Sequence, residues 1–283
     1  MKIWLDNGLV DKEQAKVSVF DHGLLYGDGI FEGIRVYGGK IFELDAHLKR
    51  LWESARVIRL DIPMTWDQMK EALYQTVRAN NVIDGYIRQI VTRGIGDLGL
   101  NPFICQRPCV IIIAGNVQLY EEELYEKGLK VVSVPTCRNH PMALPPQVKS
   151  LNYLNNIMAK IEAIDAHAGE AIMYNNEGYV AEASGDNVFI VKNGVLYTPP
   201  VQAGSLDGIT RQVVLRLAAK AGLPVIEKNL TRFDLYVADE FFLTGSAAEV
   251  IGVVQIDGRT VGQGTPGPIT RQLRKLFFEY ARS

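Results

Sequence analysis

Runs of alternating apolar and polar residues are interrupted by four short turn signals, Asn7-Gly8, Gly38-Gly39, Asn193-Gly194 and Asp257-Gly258. Each lies between segments rich in β-branched or aromatic residues, a pattern that predicts antiparallel hairpins. Between the hairpins the apolar period lengthens to that of helices. Leu48, Leu51, Trp52 and Ala55 form one face behind Asp45, which can cap, and Met69, Leu73 and Val77 form another behind Thr65. A third helical face carries Tyr153, Ile157 and Ile161. The run from Cys109 to Ala114 reads as a buried strand ending near Gly115, and Leu129 to Val134 as the next strand. No Gly-x-Gly-x-x-Gly follows a strand, so the interleaving predicts a mixed α+β fold, with antiparallel-rich sheets covered by helices rather than a doubly wound parallel sheet.

With 283 residues, 47% of them hydrophobic, the chain suffices for two domains. The polar stretch 118–128 reads as a linker between a small N-terminal domain, 1–117, and a larger one, 129–283. A formal net charge of −2 without any basic run argues against a nucleic-acid partner. No segment approaches the ~18 apolar residues of a membrane span, and the N-terminus lacks an apolar signal core. The expectation is a cytoplasmic protein. Cys105, Cys109 and Cys137 cannot all pair, and with only four histidines their spacing matches no zinc pattern, so packing roles and no metal are expected.

The chemistry concentrates in four segments. Lys149 opens Lys-Ser-Leu-Asn-Tyr, Glu182 opens Glu-Ala-Ser-Gly-Asp-Asn, and downstream lie Leu206 to Arg211 and Thr244 to Glu249. Pro145 and Pro146 disfavour a helix before Lys149, which therefore projects from a strand or turn. Taken singly, Lys149 is a solvated charge, Glu182 a loop acid, and Thr210 a helix cap. As an ordered set they supply an amine to form an imine, a carboxylate to hold a pyridine nitrogen protonated, and turn amides and hydroxyls to receive a phosphate. That is the donor set of a pyridoxal 5′-phosphate site.

The order and wording of these motifs resemble the fold type IV pyridoxal-phosphate aminotransferases, the family of branched-chain amino acid aminotransferase, D-amino acid aminotransferase and aminodeoxychorismate lyase. Phe31-Glu-Gly-Ile-Arg-Val-Tyr and Tyr86-Ile-Arg88 look most like the branched-chain branch. The resemblance implies the two-domain D-amino-acid-aminotransferase-like architecture, with Lys149 and the other cofactor motifs in the larger domain. It assigns the phosphate to Ile209 and Thr210, where Gly208 lets the backbone come close, and to Arg50 and Ser246 from other segments, the cofactor ring face to Leu206, and its hydroxyl to Tyr153. Tyr153 stands one residue closer to the lysine than in the best-known members. The amides of Ser246 and Ala247 and the side chain of Tyr86 would receive the substrate's α-carboxylate, Arg88 a distal carboxylate, and Phe31 and Gly33 would shape an apolar pocket. Tyr26 and Leu100 match residues lent by a neighbouring subunit, implying a homodimer or higher oligomer whose site is completed across the interface. The loop from Gly94 to Leu100 lacks the Arg-x-His carboxylate trap of D-amino acid enzymes. The expected reaction is amino transfer between branched-chain L-amino acids and 2-oxoglutarate. The alternatives are D-amino acid transfer, 4-amino-4-deoxychorismate lysis, or cofactor binding without turnover.

Overall fold

A computed structural model describes residues 1–116 and 120–283. The chain divides into two compact units, Met1–Val117 with Val148–Tyr153, and Gln118–Gln147 with Leu154–Ser283. The expected boundary at 117/118 lies outside the described residues.

The first unit begins with β1 (Lys2–Leu5), β2 (Gly8–Asp11) and α1 (His22–Tyr26). It continues through β3 (Gly29–Tyr37), β4 (Lys40–Ile41), α2 (Leu44–Val57), α3 (Trp66–Ala79), β5 (Gly85–Thr92) and β6 (Cys109–Gly115). Its six strands form an antiparallel sheet in the order β2-β1-β6-β5-β3-β4. Alternation decides the two faces. Ile30, Ile34, Val36, Ile87, Val91, Val110 and Ile112 point inward, against Leu48, Leu51 and Ala55 of α2 and Met69, Leu73 and Val77 of α3. The outward residues of β6 do not follow the fully buried reading, since Ile113 is 37% exposed. A sheet with helices on one face needs only every second side chain to be buried.

The second unit contains α4 (Glu122–Lys127), β7 (Leu129–Ser133), α5 (Leu154–Asp165), β8 (Glu170–Tyr174), β9 (Val180–Ala183), β10 (Asn187–Lys192) and β11 (Val195–Thr198). There follow α6 (Ile209–Lys220), β12 (Val225–Glu227), α7 (Arg232–Tyr236), β13 (Glu240–Gly245), β14 (Glu249–Ile256), β15 (Arg259–Thr260) and α8 (Pro268–Ala281). Eight strands run β12-β11-β10-β13-β14-β7-β8-β9, with β15 paired to β14. The pairs β11/β12, β7/β14 and β7/β8 are parallel and the others antiparallel. The stretch expected as a linker is partly structural. Its α4 turns Tyr125 inward, and Tyr120 and Tyr125 join the core formed by Leu129, Ile172, Phe241 and Ile251.

Three hairpins turn where the sequence places them. Gly38-Gly39, Asn193-Gly194 and Asp257-Gly258 each have positive φ at both residues, as the type I′ turn requires. The first hairpin turns one residue earlier, at Asp6-Asn7, because Gly8 is already paired with Leu5. Asp45 does not cap α2. Glu43 precedes the helix in a left-handed conformation without a side-chain cap, and the Asp45 carboxylate instead meets Lys70 at 2.5 Å and accepts from Trp66 Nε1 at 3.2 Å. On α5 the expected apolar face is the outer one. Ile157 and Ile161 are 51% and 45% exposed, while Ala159 and Ala163 pack with Ala171 and Met173, since small side chains let the helix approach the sheet closely.

Thr65 caps α3 as expected, in a reciprocal box: its hydroxyl accepts from the Gln68 amide and the Gln68 side chain accepts from the Thr65 amide. Thr65→Ala should therefore cost about 0.5–2 kcal/mol of stability. Chemical denaturation provides the measurement, and an unchanged midpoint at unchanged slope would deny the box any contribution.

Candidate functional site

In the first unit, the register Phe31↔Ile90, Gly33↔Arg88 and Arg35↔Tyr86 puts Phe31, Gly33, Tyr86 and Arg88 on one face of the β3/β5 pair. A Cβ on Gly33 would lie 1.8 Å from Tyr86 Oη, so the absence of a side chain there is what seats the tyrosine hydroxyl. Arg88 has its guanidinium carbon 4.5 Å from the Phe31 ring centroid and 5.7 Å from that of Tyr86. Among the described residues it makes no ion pair.

Lys149 belongs to this unit and not to the larger one where it was expected. The reason is backbone pairing: Ser150 bridges Ile30, and the Phe31 amide donates to the Lys149 carbonyl at 3.0 Å. The half-buried Lys149 ammonium lies 4.5 Å from the Phe31 ring centroid and donates to Tyr153 Oη at 3.1 Å. Tyr153 precedes α5 rather than lying on it, and its ring meets Phe31 edge-on at 4.9 Å.

Behind that face, alternation turns Glu32 inward between Ile30 and Ile34 and opposite the buried Gln89, with no exposed surface. Its carboxylate accepts from Arg50 through Nε (2.8 Å) and Nη2 (2.7 Å), and from His47 Nδ1 at 2.7 Å. Arg50 is thus buried in a fork pairing, not a helix-surface charge. Burial opposes ionisation of Glu32, but the charge of Arg50 together with the hydrogen bonds from Arg50 and His47 outweighs it and holds the carboxyl well below its ordinary range. Burial likewise pushes His47 below its ordinary value, against the opposing pull of Glu32, which makes the ring a neutral donor at neutral pH. Tyr26 and Leu100 lie elsewhere in the unit. Tyr26 Oη donates to the Leu98 carbonyl at 2.6 Å, and Leu100 is 79% exposed.

In the second unit, Glu182 is a buried residue of β9 and not a loop acid. One oxygen accepts from Arg138 Nε at 2.7 Å, the other from the Leu206 amide at 2.9 Å, and Arg138 is itself anchored through Nη1 to Asn155. Asn187 assembles the adjoining turn. It pairs with Thr244 across β10/β13, its side chain donates to the Leu206 carbonyl, and its Oδ1 lies 2.0 Å from where a Cβ on Gly208 would be. Gly208 starts α6 without any side-chain cap, so Thr210 is the second residue of the helix and not its cap. Ser246 and Ala247, both half-buried, form the turn between β13 and β14.

The donor set fits a pyridoxal phosphate. The buried hydroxyls of Ser205 and Thr244 have no hydrogen-bond partner among the described residues, and the N-terminus of α6 is left without a side-chain cap. Such groups are in deficit until an acceptor such as a phosphate oxygen meets them. No group of residues that could hold a metal occurs among those described. The sequence reading missed Glu32, His47, Arg138 and Asn187. An acid on the inward side of an apolar strand, with His47 and Arg50 three apart on a helix, is a legible signal for the first two. Arg138 lies 44 residues from its partner and carries none. Cys137, expected to pack, is exposed, while Cys105 and Cys109 are half-buried, and burial pushes the Cys109 thiol up to about 12.

A family model described as amino-transferase class IV matches residues 29–256. The branched-chain-amino-acid aminotransferase of Pseudomonas aeruginosa is 43% identical over 283 aligned residues, covering 98% of this chain and 92% of its own. The crystal structure of the T.th. branched-chain amino acid aminotransferase with pyridoxamine 5′-phosphate has a TM-score of 0.96 and 40% identity, covering all of this chain and 95% of its own. The same enzyme complexed with N-(5′-phosphopyridoxyl)-L-glutamate gives 0.94 and 39%, covering 99% and 94%.

The buried cluster should make stability fall with acid in two stages. The unfolded chain protonates His47 near its ordinary value of 6.5 whereas the folded ring resists, so the unfolded state binds more protons and stability falls as pH drops below 6.5. Glu32 adds a second decline below its ordinary 4.5, where the unfolded carboxyl takes up a proton that the folded one refuses. His47→Gln should flatten the first decline of the melting temperature and leave the second. A decline below pH 6.5, ahead of the carboxylate range, as steep as that of the unaltered protein would remove His47 as its source.

Proposed function

The chain belongs to the class IV aminotransferases, and from that premise we propose that it transfers amino groups between branched-chain L-amino acids and 2-oxoglutarate, using pyridoxal 5′-phosphate held on Lys149. The observation that carries this reading is the face that presents Lys149, Tyr153, Phe31, Tyr86 and an arginine without an ion-pair partner among the described residues. The names of the similar enzymes and the pyridoxamine phosphate and phosphopyridoxyl-glutamate bound to one of them support it.

When bound, pyridoxal phosphate supplies an aldehyde that captures amino groups and a ring that accepts the electron pair left on the α carbon by proton loss. Lys149 would hold the aldehyde carbon, and its Nζ would take the proton from the substrate's α carbon as base and return it as acid. Tyr153 holds the lysine amine by the hydrogen bond already formed. Glu182 keeps the pyridine nitrogen protonated, with Arg138 fixing the carboxylate. The amides of Ile209 and Thr210, the side chain of Arg50 and the Ser246 hydroxyl would hold the phosphate, Gly208 would admit its close approach, and Leu206 would border the ring. Ser246 and Ala247 amides with Tyr86 take the α-carboxylate. An aliphatic side chain lies against Phe31 above Gly33, and the distal carboxylate of glutamate pairs with Arg88. Tyr26 and Leu100 complete the site of a neighbouring subunit in a homodimer or higher homo-oligomer.

An amino-donor panel with 2-oxoglutarate, resolved by enantiomer, tests the substrate assignment. Transfer confined to D-donors, or pyruvate elimination from 4-amino-4-deoxychorismate, would replace it. Borohydride reduction and peptide mapping should label Lys149, and Lys149→Ala should abolish turnover in a folded protein; a label on another lysine ends the assignment.

Arg88→Ala should harm the dicarboxylate half-reaction more than the aliphatic one. Loss of one charge-assisted contact corresponds to a roughly 10- to 150-fold fall in kcat/KM for glutamate and 2-oxoglutarate. Single-turnover rates with leucine and glutamate decide the matter, and equal losses would place Arg88 on the common α-carboxylate or on the fold.

A further inference from the structure

We propose that Glu32 is a positioning residue for phosphate capture, holding the Arg50 guanidinium by its Nε and Nη2 edge so that the arginine meets the cofactor's phosphate already oriented. This rests on the phosphate role given to Arg50 above.

The setting of Glu32 argues for such a task. Its inward neighbours on β3 are Ile30, Ile34 and Val36, all without exposed surface, and the opposing helices pack them with leucine, methionine and valine. An apolar residue would suit that face, since a buried ion pair seldom gains stability over well-packed hydrophobic side chains. The acid therefore has a reason other than filling the core. Its hydrogen bonds identify that reason: two go to the arginine fork and one to His47, itself 1% exposed, which leaves the carboxylate little freedom to rotate.

The helix supports the same interpretation. His47, Arg50 and Ser54 fall at i, i+3 and i+7 on α2 and make one buried polar stripe beside its leucines. The first two hold Glu32, and the Ser54 hydroxyl accepts from the backbone amide of Lys149 at 3.2 Å. A single helical edge thus fixes both the arginine and the backbone of the lysine. An arginine whose rotamers are set during folding loses less conformational entropy when the phosphate binds, so affinity is the quantity that should report the role.

The test compares dissociation constants of the cofactor-stripped full chain for pyridoxal 5′-phosphate and pyridoxal, which share the aldehyde and differ only in the phosphate. Glu32→Gln should weaken the phosphorylated ligand about 10- to 100-fold, the size of a lost charge-assisted contact, and leave pyridoxal within a factor of about two. In an Arg50→Ala background the same substitution should change neither ligand, because its effect passes through the arginine. Arg50→Lys keeps the charge without the fork and should show the same phosphate-selective loss, which serves if Glu32→Gln fails to fold. Equal weakening of both ligands, an undiminished effect in the Arg50→Ala background, or Arg50→Lys binding like the unaltered protein would each overturn the proposal. If the unaltered protein binds both ligands equally, the phosphate role of Arg50 falls, and this inference falls with it.

Discussion

Successive side chains of an extended strand point to opposite faces, and the organisation of the first unit depends on how β3 uses that constraint. Ile30, Glu32 and Ile34 go inward beneath α2, while Phe31 and Gly33 go outward beside Tyr86 and Arg88. A one-residue slip would turn Glu32 and two isoleucines toward Tyr86 and Arg88 and drive Phe31 into the core beneath α2. The register is fixed from both sides, by full pairing with β5 and by the Lys149–Ser150 segment against Ile30 and Phe31. The lysine is therefore located by the same pairing that separates the two faces.

Each unit contains a buried glutamate held by a buried arginine: Glu32 with Arg50, and Glu182 with Arg138. Removing either partner of such a pair leaves an uncompensated charge, at a cost of about 3–5 kcal/mol. The two pairs differ in what completes them. Glu32 is closed off by a neutral histidine from the helix above, whereas Glu182 receives a backbone amide at Leu206, on the turn leading to Gly208. Under the proposed function the first organises a cation and the second an anion. Their shared chemistry gives opposite uses: in one the acid orients the arginine, in the other the arginine orients the acid.

The hairpins, the capped α3 and the mixed architecture were legible because they depend on local chemistry. Residues tolerant of positive φ mark turns, and Thr65 with Gln68 forms a box within four residues. The outward face of α5 was misread because a periodic apolar stripe predicts burial without saying which of two apolar stripes meets the sheet; Ala159 and Ala163 do so by being small. Asp45 was misread because a carboxylate near a helix start can satisfy amides or reach a lysine, and Lys70 lies on another helix. The motif residues could be named individually, but the pairing of Glu182 with Arg138 and the placing of Lys149 beside β3 are long-range facts. No local pattern encodes them.

The Phe31 ring offers a physical account of how one face can accept both leucine and glutamate under the proposed function. Lys149 Nζ and the Arg88 guanidinium carbon both lie 4.5 Å from its centroid, so the same ring borders the reacting amine and the distal cation. An aliphatic side chain gains contact with the ring and demands nothing of Arg88, which keeps its cation–π contacts with Phe31 and Tyr86. A dicarboxylate side chain replaces those contacts with a charge-assisted pair, a stronger interaction in the same space. Gly33 makes the exchange feasible, since any side chain there would displace the Tyr86 hydroxyl and with it one of the two rings on which the arginine rests. Discrimination between the two substrate classes then lies in the orientation of a single guanidinium, and the apolar surface need not change shape to serve both.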